Sequence, residues 1–230
     1  MKKFILLLII PFGFIYSNSF AQKEKANKEE NKSSGTENTI EVVIPAKTML
    51  VADTSFEHSF KDEFSSPGKW AEEDNLNSTL KRKEGHYLFE NKKNILYAST
   101  MPIGMNSKKN FAVETSIQHL SGENYYGVLI GGEETDGTLF MINPHTKSYW
   151  ILYNNAEGSS DYFKKENSAI VTKDVNVLRT EKVGFKQRFF LNDAYIGEVP
   201  FVEFMGNKHG FIIDGQGMFS VDYFKIQWGN

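Results

Sequence analysis

The sequence predicts an all-β domain, a sandwich or barrel of many short strands. Three observations carry that expectation. Apolar residues recur with period two along the second half of the chain, as in Phe111, Val113, Thr115 and Ile117 against Glu114, Ser116 and Gln118. Runs rich in β-branched and aromatic residues alternate at close spacing with Gly, Asp, Asn or Pro. After the opening stretch, no window of a dozen residues carries a helical period, and no internal repeat suggests a propeller or solenoid.

From the N-terminus, residues 1–21 have the layout of a signal peptide. Lys2 and Lys3 supply the positive start, Phe4 to Ile15 is apolar apart from Pro11 and Gly13, and Ser19-Phe20-Ala21 places small residues at −3 and −1. The apolar run falls short of the roughly 20 residues a bilayer span requires. Cleavage is expected after Ala21, with export to the periplasm or the exterior of a bacterial cell. No second apolar run of that length follows, so no membrane span is expected. The chain has no Cys, so a lipid anchor on a cysteine after the cleavage site is not expected, and stability must come from a packed core instead of disulfides.

Residues 22–38 alternate Lys, Glu, Asn and Ser, with four Lys against four Glu. Such a segment buries too little apolar surface to offset its ordering entropy, and a neutral flexible linker is expected. From Thr39 the composition changes, and residues 39–230 are long enough for one β-sandwich domain. The formal charge is −3, and removal of Lys2 and Lys3 leaves 24 basic against 29 acidic residues. Only Arg82, Arg179 and Arg188 are Arg. A weakly acidic, Arg-poor surface argues against nucleic acid as a partner, because that binding rests on neutralised phosphates.

Within the domain, Tyr125 to Gly131, Thr138 to Asn143 and Ser148 to Tyr153 are strand-like and follow one another through short turns, so they are expected to pair as an antiparallel meander. Gln187 to Leu191 and Ala194 to Val199 flank Asn192-Asp193, a tight-hairpin pair that tolerates positive φ. Lys208 to Ile213 and Met218 to Trp228 flank a second turn, Asp214-Gly215-Gln216-Gly217. In the last strand the apolar phase shifts from Phe219, Val221 and Tyr223 to Phe224, Ile226 and Trp228, which a bulge or burial on both faces would explain.

The order Asp62-Glu63-Phe64 … Trp70, then Gly85-His86-Tyr87, then Asn110-Phe111-Ala-Val-Glu-Thr-Ser-Ile, resembles the opening of concanavalin A-like lectin/glucanase domains. Tyr126 to Gly132, Lys208-His209-Gly210-Phe211 and Val221-Asp222-Tyr223-Phe224-Lys225-Ile226 are similar to their continuation. The resemblance implies a jelly-roll β-sandwich of two antiparallel sheets, one concave and one convex. Lectin-like modules, laminin-G-like domains, family-16 glucanases and 3-keto-glycoside hydrolases share that fold, so fold alone does not assign function. The glucanases carry Glu-x-Asp-x-x-Glu on one strand, since retaining hydrolysis needs two carboxyl groups about 5 Å apart. The matching strand here, Glu114-Thr-Ser-Ile-Gln-His119, holds only one acid.

Among the remaining residues, Tyr126, Tyr149, Trp150 and Tyr153 are candidates for stacking against sugar rings, because aromatic side chains offer broad apolar faces with polar tips. Tyr149, Ile151 and Tyr153 share one face of their strand and Trp150 the other, so one set must be core. Glu133, Glu134 and Asp136 are the candidates for a Ca²⁺ site, against the alternative of a solvated turn. No other cofactor and no catalytic set is expected. The leading expectation is therefore a secreted, non-catalytic lectin-like module that binds a glycan or polysaccharide. A glycoside-acting enzyme with an unrecognised site, and a structural or protein-interaction sandwich, are the alternatives.

Overall fold

The structure is a computed structural model, and it describes residues 56–170 and 174–229. The expected signal peptide, the linker and the first part of the expected domain, residues 39–55, lie outside the described residues.

Fifteen strands are present among the described residues. The first five are β1 (His58–Asp62), β2 (Glu73–Asp74), β3 (Ser78–Lys83), β4 (His86–Asn91) and β5 (Leu96–Pro102). The middle of the chain forms β6 (Phe111–Gly122), β7 (Tyr125–Gly132), β8 (Gly137–Asn143), β9 (Ser148–Asn155) and β10 (Gly158–Glu166). The last five are β11 (Val175–Val183), β12 (Lys186–Leu191), β13 (Ala194–Pro200), β14 (Lys208–Asp214) and β15 (Gly217–Trp228). They make two antiparallel sheets. One has nine strands in the order β13-β12-β11-β6-β15-β4-β3-β2, with β1 paired to β15. The other has six, β10-β9-β8-β7-β14-β5. No described helix is long and apolar enough to cross a membrane.

The sheets stack through their period-two apolar faces. Val113 and Ile117 of β6, Phe224 and Ile226 of β15, and Val128, Phe140, Ile151 and Phe211 of the six-stranded sheet form one core, each at most 2% exposed. Each such side chain contributes about 1.5–3 kcal/mol of burial. A second apolar cluster, Leu129, Leu139, Met141, Leu152 and Ile212, occupies the opposite face of the six-stranded sheet. Strands β7 and β8 are consequently buried on both faces, which explains why they read as nearly continuous apolar runs.

The meander β7-β8-β9 and the β12–β13 hairpin form as expected, with Asn192 and Asp193 at φ 48° and 64°. Such paired left-handed residues twist with the flanking strands. The phase change in β15 is a bulge. Register shifts between Val221 and Tyr223, which turns Phe224 and Ile226 into the core and Tyr223 out of it. The bulged carbonyl of Tyr223 accepts from Thr115 Oγ1 at 2.7 Å, so the interrupted ladder is satisfied.

The motif residues near the start of the domain converge on one aromatic cluster. Phe64 stacks on Tyr87 at 5.3 Å between ring centroids, and Trp70 on Phe211 at 4.9 Å. Asp62 organises it from below. Its Oδ1 accepts from the Phe64 amide at 2.7 Å and its Oδ2 from Trp70 Nε1 at 3.1 Å. Burial also pushes the Tyr87 hydroxyl up to about 12, although it bonds to Ser99 Oγ at 2.7 Å.

Candidate functional site

The four aromatic candidates separate by depth. Tyr126 and Tyr149 are 1% and 4% exposed and belong to the core between the sheets. They are therefore excluded as sugar platforms. Tyr126 stacks on Phe219 at 4.9 Å and on His119 at 5.7 Å, and burial raises its hydroxyl pKa. Period two dictates the outcome, because the residues on the same face as Val128 and Ile151 must follow them inward. Trp150 lies on the opposite face of the six-stranded sheet, where Lys164 Nζ sits 4.1 Å above its ring and Asp161 accepts from Nε1 at 2.9 Å. Tyr153 is half-buried. The meander brings the four together in sequence register but divides them between two faces.

The Ca²⁺ candidates do not assemble. Glu133 pairs with Lys208 at 3.1 Å, and the Asp136 amide donates to the Glu133 carbonyl at 2.8 Å, closing an ordinary turn. No group of three metal-ligating side chains is arranged to hold an ion among the described residues.

A different face concentrates polar side chains. On the nine-stranded sheet, residues that alternate with the core point away from it, and antiparallel register lines them up across strands. Arg179 of β11 stands opposite Glu114 of β6, and Glu114 opposite Lys225 of β15. Glu181 stands opposite Arg188 of β12, and Arg188 opposite Glu198 of β13. Directly opposed side chains approach within about 5 Å, so these positions pair.

Glu114 is the centre of the arrangement. Its Oε1 accepts from the Tyr223 hydroxyl at 2.9 Å, and its Oε2 lies 3.9 Å from Arg179 Nε. Arg179 also pairs with Glu181, and its guanidinium lies 4.2 Å over the Phe190 ring. Phe190 in turn meets Tyr195 edge-on at 5.7 Å, and Tyr195 is 44% exposed. The Tyr223 hydroxyl is held neutral far above its ordinary range, first by burial and then by its hydrogen bond to Glu114. Beside it, Asp222 accepts from Ser116 Oγ at 2.6 Å and lies 2.9 Å from His86 Nδ1. At the rim, Glu198 binds Lys186 and Arg188, and the Lys186 contact leads in lowering its pKa.

These groups border a cleft of about 310 Å³ lined by Phe56, Ala112, Glu114, Arg179, Glu181, Lys225 and Gln227. Two carboxylates face two cations across it. The cleft offers fixed donors and acceptors at balanced charge, with half-buried Phe56 on its wall and the Phe190–Tyr195 pair beside Arg179. Sequence reasoning named Glu114 and passed over its partners. The signal that could have found them was the phase change in β15, since a bulge there brings adjacent Asp222 and Tyr223 to the same face.

No protein-family model and no curated protein sequence matches the chain. Solved structures do match. A GH43 protein, BlXynB of Bacillus licheniformis, aligns over 73% of this chain at TM-score 0.52 and 9% identity. A GH43B protein of a Bacteroides ovatus xyloglucan locus aligns over 73% at 0.53 and 12%. The chain spans only 39% of each of these proteins. The carbohydrate recognition domain of Emp47p aligns over 77% of this chain and 97% of its own length, at 0.51 and 11%. Likeness at these identities shows the fold. It is a two-sheet jelly-roll β-sandwich.

Proposed function

We propose that this chain is a secreted, non-catalytic lectin-like module that binds glycan in the cleft of the nine-stranded sheet. The observation that carries the reading is the fixed position of Arg179. It is held by Glu114, Glu181 and the Phe190 ring, and with Nη1 engaged by Glu181 its Nη2 is the donor left for a ligand beside acceptors of opposite charge. Vicinal sugar hydroxyls need such alternating partners, and a cleft of balanced charge suits a neutral sugar. The Emp47p domain, a carbohydrate recognition domain of similar fold, supports the class of ligand. A shallow site encloses little ligand surface, so affinity is expected at micromolar to millimolar. Export to the periplasm or cell exterior, with cleavage after Ala21, completes the proposal.

A glycoside-acting enzyme is the second reading, favoured by four carboxylates on one face, Glu114, Glu181, Glu198 and Asp222. Binding is preferred because each carboxylate is engaged by a cation or hydroxyl of the protein, an arrangement that orients ligand hydroxyls without freeing an acid for proton transfer. Glycan-array screening followed by titration of wild type and Arg179→Ala tests the proposal. Binding lost in the variant supports it. Absence of binding to every glycan, or unchanged binding in Arg179→Ala, rejects it. Sugar release that disappears in Glu114→Gln would establish the enzyme instead.

A further inference from the structure

At one end of the sandwich three turns meet: β4–β5, β6–β7 and β14–β15. Their backbones are locked together. Asn91 Nδ2 donates to the carbonyls of Ile95 at 2.7 Å and Gly215 at 3.0 Å, and the Gly215 amide donates to Ile95 at 3.1 Å. Gly122 and Gly215 have φ of 97° and 98°. A Cβ on Gly122 would lie 2.7 Å from Gly217 Cα, so only glycine admits this approach.

Above this floor is a cleft of about 500 Å³ lined by Asn94, Ser121, Gly122, Asn124, Gln216 and Gly217. None of these residues is charged. Asn124 Nδ2 donates to the Gln216 carbonyl at 2.9 Å, which leaves its Oδ1 open. The side chains of Asn94, Gln216 and Ser121 make no hydrogen bond among the described residues. Ile95 and Leu120, the chain neighbours of Asn94 and Ser121, are 55% and 42% exposed. Three side-chain amides, those of Asn94, Asn124 and Gln216, thus converge on a cleft whose lining residues carry no charge.

We infer that this turn-end cleft is a second carbohydrate site, specific for neutral sugars. Amide groups donate and accept together, matching a hydroxyl that does both. A locked floor lowers the ordering cost of binding. Lacking any cation, the cleft has nothing to offset the desolvation of a uronate carboxylate. The inference takes its ligand class from the glycan-binding reading above, but it uses none of the residues of that site.

The test is NMR of the ¹⁵N-labelled full chain, titrated with neutral hexose, pentose and N-acetylhexosamine tetrasaccharides and, in parallel, with tetragalacturonate. Side-chain amide resonances of Asn94, Asn124 and Gln216 should shift with at least one neutral sugar and not with tetragalacturonate. The double variant Asn94→Ala/Gln216→Ala should weaken that binding by about tenfold or more, since several hydrogen bonds are lost. Both side chains are exposed, so the fold should survive, as unchanged backbone amide dispersion would show. In Arg179→Ala the turn-end shifts should persist even if binding at the sheet face is gone, which separates the two proposals. Silence of the three amides with every neutral sugar, or equal response to tetragalacturonate, overturns the inference.

Discussion

The Tyr223 hydroxyl donates to Glu114 Oε1 across 2.9 Å, linking the last strand to the central strand of the nine-stranded sheet. The bond exists because the bulge after Val221 rotates Tyr223 out of the core. Tyr223→Phe should destabilise the domain by about 1–2 kcal/mol in urea unfolding, the range for a part-buried hydrogen bond to a carboxylate. Because the folded state holds this phenol neutral above its ordinary pKa of 10.0, the unfolded state loses its proton first as pH rises. The contribution is therefore fully present below pH 10 and lost above it. Wild type should lose stability above pH 10 more steeply than Tyr223→Phe. Parallel curves would show that Tyr223 does not carry the effect.

Glycan binding should depend on the same cluster. Arg179→Ala should weaken binding by more than tenfold, through loss of the guanidinium that Glu114, Glu181 and Phe190 hold. Phe190→Ala should weaken it less, by releasing Arg179 from its ring. Titration calorimetry with an array-selected glycan measures both changes.

The core rings should behave as core. Tyr126→Ala and Tyr149→Ala should each cost about 3–5 kcal/mol, since both side chains are buried between the sheets. Trp150→Ala should cost less, because its ring is only partly buried against the second apolar cluster and held by Lys164 and Asp161. Urea denaturation orders the three variants. A Trp150 loss equal to that of Tyr126 would contradict the assignment of faces.

His209 should make the fold acid-sensitive. Burial lowers its pKa from 6.5 to about 4, and its Nδ1 accepts from the Gly131 amide at 3.3 Å. The unfolded chain binds this proton first as pH falls, so stability from the neutral ring declines between about pH 6.5 and pH 4. Thermal melts should fall across that window, and His209→Gln should flatten the decline. A slope unchanged by the substitution would locate the acid sensitivity elsewhere.

Maturation has its own test. Lys2, Lys3, the short apolar run and Ser19-Phe20-Ala21 imply that protein from the native envelope begins at Gln22, which intact mass resolves. Recovery of unprocessed chain from the cytoplasm would refute export.

Local patterns made most of the architecture legible. The alternation in Phe111 to Ile117 assigned β6 its inner face, Asn192-Asp193 announced a hairpin, and the phase slip after Val221 announced a bulge. The stacking site was another matter. Tyr126, Tyr149, Trp150 and Tyr153 lie on strands that do pair, yet two of the rings fill the core. A tyrosine suits a core wall or a sugar platform equally well, so its residue type does not choose between them.

By itself the sequence determined the all-β class, the positions of most strands after Phe111 with the turns between them, and which residues of β6 and β9 share a face. These follow from a period of two and from the φ preferences of turn residues, both set within a few positions of the chain. Only the tertiary structure decided which faces meet and which side chains stand opposite one another. Glu114 reaches Tyr223 across 109 positions and Ser116 reaches Asp222 across 106, while three turns far apart in the chain build the end cleft. Such pairings depend on strand order and register, which the burial of both apolar faces selects and no local pattern encodes.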